Sequence, residues 1–428
     1  MKKTLLFVFS VFAFSTSAQT LDECQQWAQD NYPLTRKYGL IDKTTEYTVS
    51  NIQKGWLPQI SAAAQATYQS DVVTFPEAFR PMLAASGLDL KGLSKFQYRA
   101  GIDIQQNIYD GGNISNQKEI ARLQGEVQSA QNDVDLYQLR DRINNLYFGA
   151  LLLNERLHLN SEHLHLVTAN RERLEALLSG GVAMQADVNA LKAEEIAIRQ
   201  NSIEMEATRE SYLNVLSLFC GKKVTLSDDA AGQFASLTTH SASTSATRPE
   251  WALFDKQYEL TYAQERQLRT ALLPKISLFA SGYYGYPGYD MYHDMFHRNP
   301  TLNGMVGLKV NWSISAFYTN KNSKLKLATQ RELIQNSRDL FSFNTTVLST
   351  QEEDAIERYR KLMAEDDQLI QLRQYVREAS EAKLEGGVID VNSLLQDITR
   401  ENQARITKSS HEVEMQKHIY ELKFIEGK

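Results

Sequence analysis

The chain has 428 residues, of which 42% are hydrophobic and 23% charged, with a formal net charge of −6 at pH 7 and two cysteines. Mild acidity without a basic run argues against a nucleic-acid partner. No nucleophile–base motif, phosphate-binding glycine loop or cysteine cluster appears, so no enzyme activity, cofactor or metal site is expected.

Residues 1–18 read as a secretory signal. Lys2 and Lys3 precede an apolar stretch from Leu5 to Phe14, and Thr16-Ser17-Ala18 offers the small residues of a cleavage site before Gln19. No later stretch has the ~18 consecutive apolar residues of a membrane-spanning helix. Cys24 follows Asp22-Glu23, a poor context for lipidation. Export permits a Cys24–Cys220 disulfide without demanding one, and both fates stay open at the level of sequence.

From about 21 to 55 the pattern is that of one helix of mixed polarity, ended by the extended geometry that Pro58 imposes. Strict alternation follows over about 59–70, with Ile60, Ala62, Ala64, Ala66 and Tyr68 on one face. A loop bearing Pro76, Pro81, Gly87 and Gly92 leads to a second alternating run over 98–109, with Tyr98, Ala100, Ile102 and Ile104 opposite Arg99, Asp103 and Gln105. Period two with one polar face means strands. After Asp110-Gly111-Gly112, a proline-free segment over 113–179 carries a heptad stripe from Leu136 to Leu178. It implies a helix about 100 Å long that needs parallel or antiparallel neighbours. Gly180-Gly181 permits a reversal, and a return helix occupies 184–220. A Ser/Thr/Ala-rich connection fills 221–247. The plan then repeats over 248–428. A helix is expected at 249–271, strands at about 275–286 and 302–314, a long helix at 317–384, a Gly386-Gly387 reversal and a return helix at 388–425.

Short landmarks mark the duplication. Trp56-Leu57-Pro58-Gln59-Ile60-Ser61 returns as Leu272-Leu273-Pro274-Lys275-Ile276-Ser277, and Asn31-Tyr32-Pro33 as Thr247-Arg248-Pro249, both displaced by 216 residues. Gly180-Gly181-Val182 returns as Gly386-Gly387-Val388, displaced by 206. Four strands of about ten residues match a tilted bilayer crossing, yet only a closed barrel can stand in lipid, and the smallest have about eight strands. Three chains sharing a barrel would supply twelve. The expected fold is mainly α with a β-barrel portion, in duplicated helix–strand–strand–long helix–helix halves.

On these features the chain resembles the TolC family of outer-membrane efflux proteins. The likeness rests on the duplicated Leu-Pro-x-Ile-Ser motif, Tyr109-Asp110-Gly111-Gly112, Arg248-Pro249-Glu250, and Gly181-Val182-Ala183 followed by Asp187-Val188. It implies a homotrimer with a twelve-stranded barrel in outer-membrane lipid of a Gram-negative bacterium, above a periplasmic coiled-coil tunnel. It further implies an exit duct of a tripartite efflux or type I secretion system, docked to a periplasmic adaptor fed by an inner-membrane pump. The tips Gly180, Gly181, Val182, Gly386, Gly387 and Val388 would meet the adaptor. Asp187, Asp390 and Asp397 are candidates for a tip aperture, where three copies of a charge would repel or hold cations; a helix-start carboxylate explains Asp187 and Asp390 equally well. Arg99, Asp103, Lys309 and Asn311 are candidates for the barrel lumen, or for its water boundary. Tyr283, Tyr284, Tyr286, Tyr289, Tyr292 and Phe296 read as an interfacial aromatic girdle with an external loop.

Two departures stand out: Ser315-Ala316-Phe317-Tyr318 replaces the Tyr-Asp-Gly-Gly junction, and Ser393 takes the place of an acidic residue before Leu394-Leu395. The histidines offer no metal geometry, since His158, His163 and His165 do not share a helical face and His293 and His297 lie in a loop. The competing reading is a periplasmic coiled-coil adaptor or structural protein without a pore, which the four strands disfavour.

Overall fold

The computed structural model describes residues 19–87, 92–181, 183–226 and 248–428. The signal expected at 1–18, Val182, and the connection from 227 onward lie outside the described residues. Among these residues no helix is long and apolar enough to cross a membrane. The order is α1 (Leu21–Asn31), α2 (Leu34–Gln53), β1 (Gln59–Tyr68), α3 (Arg80–Ala85), β2 (Phe96–Tyr109), α4 (Asn113–Tyr137), α5 (Leu139–Ser179) and α6 (Gln185–Cys220). It continues with α7 (Pro249–Thr270), β3 (Lys275–Tyr286), α8 (Met291–Phe296), β4 (Thr301–Asn311), α9 (Ala316–Glu385) and α10 (Val391–Glu426).

Two elements differ from the sequence reading. The helix expected over 21–55 is broken after Asn31, because Pro33 forces Tyr32 into extended backbone at φ −66°, ψ 136°. Pro249, the counterpart of Pro33, instead opens α7 at a position where a missing N–H costs nothing. The long helix expected over 113–179 is interrupted at Gln138, where the backbone stays helical at φ −62°, ψ −19°. The break lies beside Tyr137, whose ring stacks on Phe424 at 4.8 Å and whose hydroxyl donates to the Phe424 carbonyl at 2.6 Å. Its counterpart α9 runs through 70 residues without a break.

The chain divides into two compact units. The first comprises Met1–Tyr38, Ala130–Ala252 and Arg338–Lys428. It has two cores. One joins α1, α5 and the end of α6 through Leu21, Cys24, Ile143, Tyr147, Phe148 and Leu216, with Val413 from α10. The other joins α5, α6 and α10 near the hairpin ends through Val167, Leu174, Val188, Leu191, Leu394 and Ile398. Of these, Ile143, Val167 and Leu174 are heptad positions of the sequence stripe turned toward their neighbours, whereas Tyr147 and Phe148 lie outside it.

Both hairpins turn on a left-handed glycine. At the end of α9, Val388 N–H donates to Lys383 O at 2.9 Å and Gly387 N–H to Leu384 O at 3.0 Å. This is the double closure that needs a left-handed residue, and Gly387 sits at φ +68°. Gly181 takes the same role after α5 at φ +75°. Gly180 and Gly386 do not lie in the left-handed region, so only the second glycine of each pair is required by the turn. Space is no constraint, because a Cβ on Gly387 would meet nothing within 4 Å. Gly387→Ala is therefore expected to cost about 1–2 kcal/mol in chemical denaturation, and Gly386→Ala nothing or a slight gain. Equal effects at both positions would refute this assignment.

The second unit comprises Gly39–Ser129 and Leu253–Ser337. It holds one antiparallel sheet in the order β1-β2-β3-β4. The register pairs Ala64 with Ala100, Ala100 with Tyr284 and Tyr284 with Leu302, so the even-numbered apolar residues of all four strands form one face. A bulge between Asn107 and Tyr109 shifts the end of β2. There the Tyr-Asp-Gly-Gly junction does its work. The buried Asp110 carboxylate accepts from Gly112 N–H at 2.8 Å and Ile114 N–H at 2.6 Å, capping α4. Gly111 and Gly112 follow at φ +70° and +81°. The second junction carries no residue at positive φ, so Ser315-Ala316-Phe317-Tyr318 enters α9 without glycine.

Candidate channel wall and hairpin clasps

Across the sheet the even face is apolar and open. Leu302 is 83% exposed, Val306 72% and Ile60 68%. A sheet with such a face is stable only when something apolar covers it. The odd face carries Arg99 beside Gln65, Asp103 between Ser61 and Ser281, Lys309 opposite Ser277 and Asn311 opposite Lys275. All four residues expected to face a lumen thus share one polar face. Arg99 Nη2 donates to Gln65 Oε1 at 3.3 Å, and its guanidinium lies 5.9 Å from the centre of the Tyr283 ring. Tyr283 packs onto Gly101, where a Cβ would come within 2.6 Å of the tyrosine Cβ.

The aromatic girdle expectation needs two corrections. Tyr283 lies on the odd, polar face beside Arg99. Tyr286 is buried, not interfacial, and forms a small loop core with Leu93 and Met295. Its hydroxyl donates to Asp294 O at 3.1 Å and accepts from Ser94 N–H at 3.0 Å. Tyr284 and Tyr292 stay exposed.

At the hairpin ends the candidate aspartates have local partners. Asp187 accepts from Met184 N–H at 3.3 Å at the start of α6, and Asp390 accepts from Ser393 N–H at 2.9 Å at the start of α10. Hydrogen bonds from Ser393 hold the Asp390 carboxyl below the usual carboxylate range. Under the 206-residue offset, Asp187 corresponds to Ser393 and Met184 to Asp390. The acidic residue has exchanged places across the first turn while keeping its capping role, which accounts for the departure at Ser393. Asp397 lies deeper, accepting from Ser380 Oγ at 2.7 Å and Arg400 Nη1 at 3.3 Å.

The sequence reading missed the largest charged feature of the hairpins. Arg171 of α5 donates from Nε to the buried Glu195 of α6 at 2.6 Å and from Nη1 to Glu175 at 2.7 Å, and Arg199 approaches Glu195 at 3.4 Å. Arg377 of α9 donates from Nε to the buried Glu401 of α10 at 2.5 Å and from Nη1 to Glu381 at 2.7 Å, and Arg405 Nη2 reaches Glu401 at 2.8 Å. Every member of one clasp sits 206 residues from its counterpart. The available signal was a repeated Arg-Glu-x-x-Glu at 171–175 and 377–381, followed by Glu-x-x-x-Arg at 195–199 and 401–405. Beside the clasps the hairpins differ. The first has buried Leu174 and Leu191 where the second has Ser380 and Asp397.

His163 separates from its exposed neighbours His158 and His165. It is buried, its Nδ1 accepts from Asn402 Nδ2 of α10 at 3.1 Å, and burial lowers its pKa. The expectation of no metal site meets one cluster, Glu352, His418 and Glu421, whose ligand atoms lie within 4.8 Å of one another. These groups already partner one another, with His418 Nδ1 2.6 Å from Glu352 and 3.6 Å from Glu421, and Lys417 3.6 Å from Glu421.

No family model and no curated protein matches the sequence. Solved structures do. The outer-membrane channel OprN superposes with a TM-score of 0.64 at 13% identity, covering 95% of this chain and 89% of that one. This chain has the fold of an outer-membrane channel. The outer membrane protein VceC from Vibrio cholerae matches with a TM-score of 0.64 at 12% identity, covering 95% of this chain and 96% of the other. The Campylobacter jejuni CmeC outer membrane channel matches with a TM-score of 0.61 at 12% identity, covering 95% and 85%.

Proposed function

We propose that this chain is a non-enzymatic outer-membrane exit duct of the TolC family, working in a tripartite efflux or type I secretion system of a Gram-negative bacterium. The observation that carries this reading is the four-stranded sheet. It has one apolar face open along its length, one polar face, and β1 and β4 as edges with no neighbouring strand among the described residues. Lipid satisfies the apolar face, and strands of further copies satisfy the edges. Three copies close a twelve-stranded barrel whose polar face, with Arg99, Asp103, Lys309 and Asn311, lines the lumen. The long helices form the periplasmic conduit.

In this reading, transport through the duct is passive. Driving force comes from an inner-membrane pump through a periplasmic adaptor that engages the hairpin tips at Gly180, Gly181, Val182, Gly386, Gly387 and Val388. Opening separates the hairpins at an aperture bordered by Asp187, Asp390 and Asp397. The test is the native mass of the protein extracted in mild detergent from isolated outer membranes. Three copies per particle are expected, with ion conductance in planar bilayers. A folded monomer, or a chain recovered only from the soluble periplasm, would overturn the reading in favour of an adaptor without a pore.

A further inference from the structure

The sequence contains two cysteines, and the fold brings them together. Cys24 lies in the second turn of α1, Cys220 is the last residue of α6, and both are 2% exposed or less within one apolar core. Cys220 Sγ lies 3.5 Å from the Cys24 carbonyl oxygen, donating to it, with both thiols reduced in this structure. No third sulfhydryl competes.

Lipidation of Cys24 does not fit this arrangement. An acylated Cys24 would be the first residue of the mature chain, and the residues before it are built into the fold. Thr20 and Glu23 cap α1 reciprocally, and Leu21 is buried in the core. Gln19 accepts from Tyr147 Oη at 3.0 Å through its carbonyl and from Thr225 N–H at 2.8 Å through its side chain.

We infer that Cys24 and Cys220 form a disulfide in the exported protein, fastening the start of α1 to the end of α6. The compartment follows from the proposed function; the pairing follows from the geometry. Formation requires a dithiol–disulfide oxidant acting before the core closes. The Cys220 thiolate attacks one sulfur of the oxidant disulfide and expels the other as a thiol. The Cys24 thiolate then attacks the Cys220 sulfur of the mixed disulfide and expels the second. One S–S bond forms in the protein and one breaks in the oxidant, which takes up two electrons and the two thiol protons. The bond closes a loop containing the whole first repeat, so it restricts the unfolded chain strongly.

The experiment lyses cells directly into denaturant containing maleimide, so that buried free thiols are also labelled, and counts labelled cysteines with and without prior reduction. No label without reductant and two labels after reduction are expected. Purified protein should melt several degrees lower in reductant. Cys24→Ala, Cys220→Ala and the double variant should each show that same shift, since either change breaks one bond. Additive shifts would mean simple packing. Two labelled thiols in protein that behaves as an outer-membrane trimer would overturn the disulfide and leave the duct reading intact. If the chain is instead found outside the envelope, the duct reading fails. The disulfide is then decided by refolding the purified chain in oxidised and reduced glutathione, where its absence overturns the inference and its formation with a higher melting temperature supports it.

Discussion

Replacing Arg248 with methionine is expected to destabilise the protein by about 3–5 kcal/mol, the range found when one partner of a buried ion pair is removed. The guanidinium lies 5.0 Å from the ring centre of Tyr137, 5.1 Å from Phe341 and 5.2 Å from Phe424. It pairs with the buried carboxylate of Glu250, and its Nη1 donates to the carbonyls of Phe424 and Ile425, each at 3.4 Å, in the last turn of α10. Methionine keeps much of the apolar volume and loses all three polar roles, leaving Glu250 without its partner. Denaturant unfolding would show the loss. The Arg248→Met, Glu250→Gln double variant should recover part of it, because the stranded charge is gone. Lysine should not substitute well, having neither the planar fork nor the stacking surface. A change below about 1 kcal/mol for methionine would show that the pair and the ring contacts contribute little beyond packing.

The second large effect is expected at the hairpin clasp. Glu401→Ala removes the acceptor shared by Arg377 and Arg405 and leaves Arg377, 13% exposed, with Glu381 as a remaining partner. The expected cost is about 3 kcal/mol, at the lower edge for a broken buried pair because of that remaining carboxylate. The loss should be local. Amides in the first turns of α10 should exchange with solvent faster, while those around Phe148 and Leu216 in the other core of the same unit change little. Uniform acceleration across both cores would show that the clasp is not a local fastening.

How far the sequence could be read depended on the range of each interaction. The strand faces were legible because alternation is local, and Ile60, Ile102 and Leu302 lie on the face their parity assigns. The reversals were legible as glycine pairs, but only the backbone shows that Gly181 and Gly387 carry the left-handed geometry. The break at Pro33 had its signal in plain view, since a residue before proline avoids the helical region, yet the segment was read through as one helix of mixed polarity. Tyr286 was misassigned because its parity fits the apolar face, while its burial comes from Leu93 in the loop before β2 and Met295 in α8. The clasps were invisible to a search for apolar periodicity, because Arg171 read as a polar interruption of the stripe. Comparing the two halves residue by residue would have exposed them.

The open sheet also has a consequence for biogenesis. The helical unit can close two apolar cores within the chain, although Leu340, Phe343, Leu372 and Tyr375 of α9 stay exposed. The sheet cannot, because its apolar row and both outer strands have no partner among the described residues. In the proposed duct the sheet is a template for aggregation until it reaches lipid and sister strands. Newly made protein therefore needs an escort that shields the segments around β1–β4, and a failure of that escort would appear as insoluble chains whose helices are largely formed.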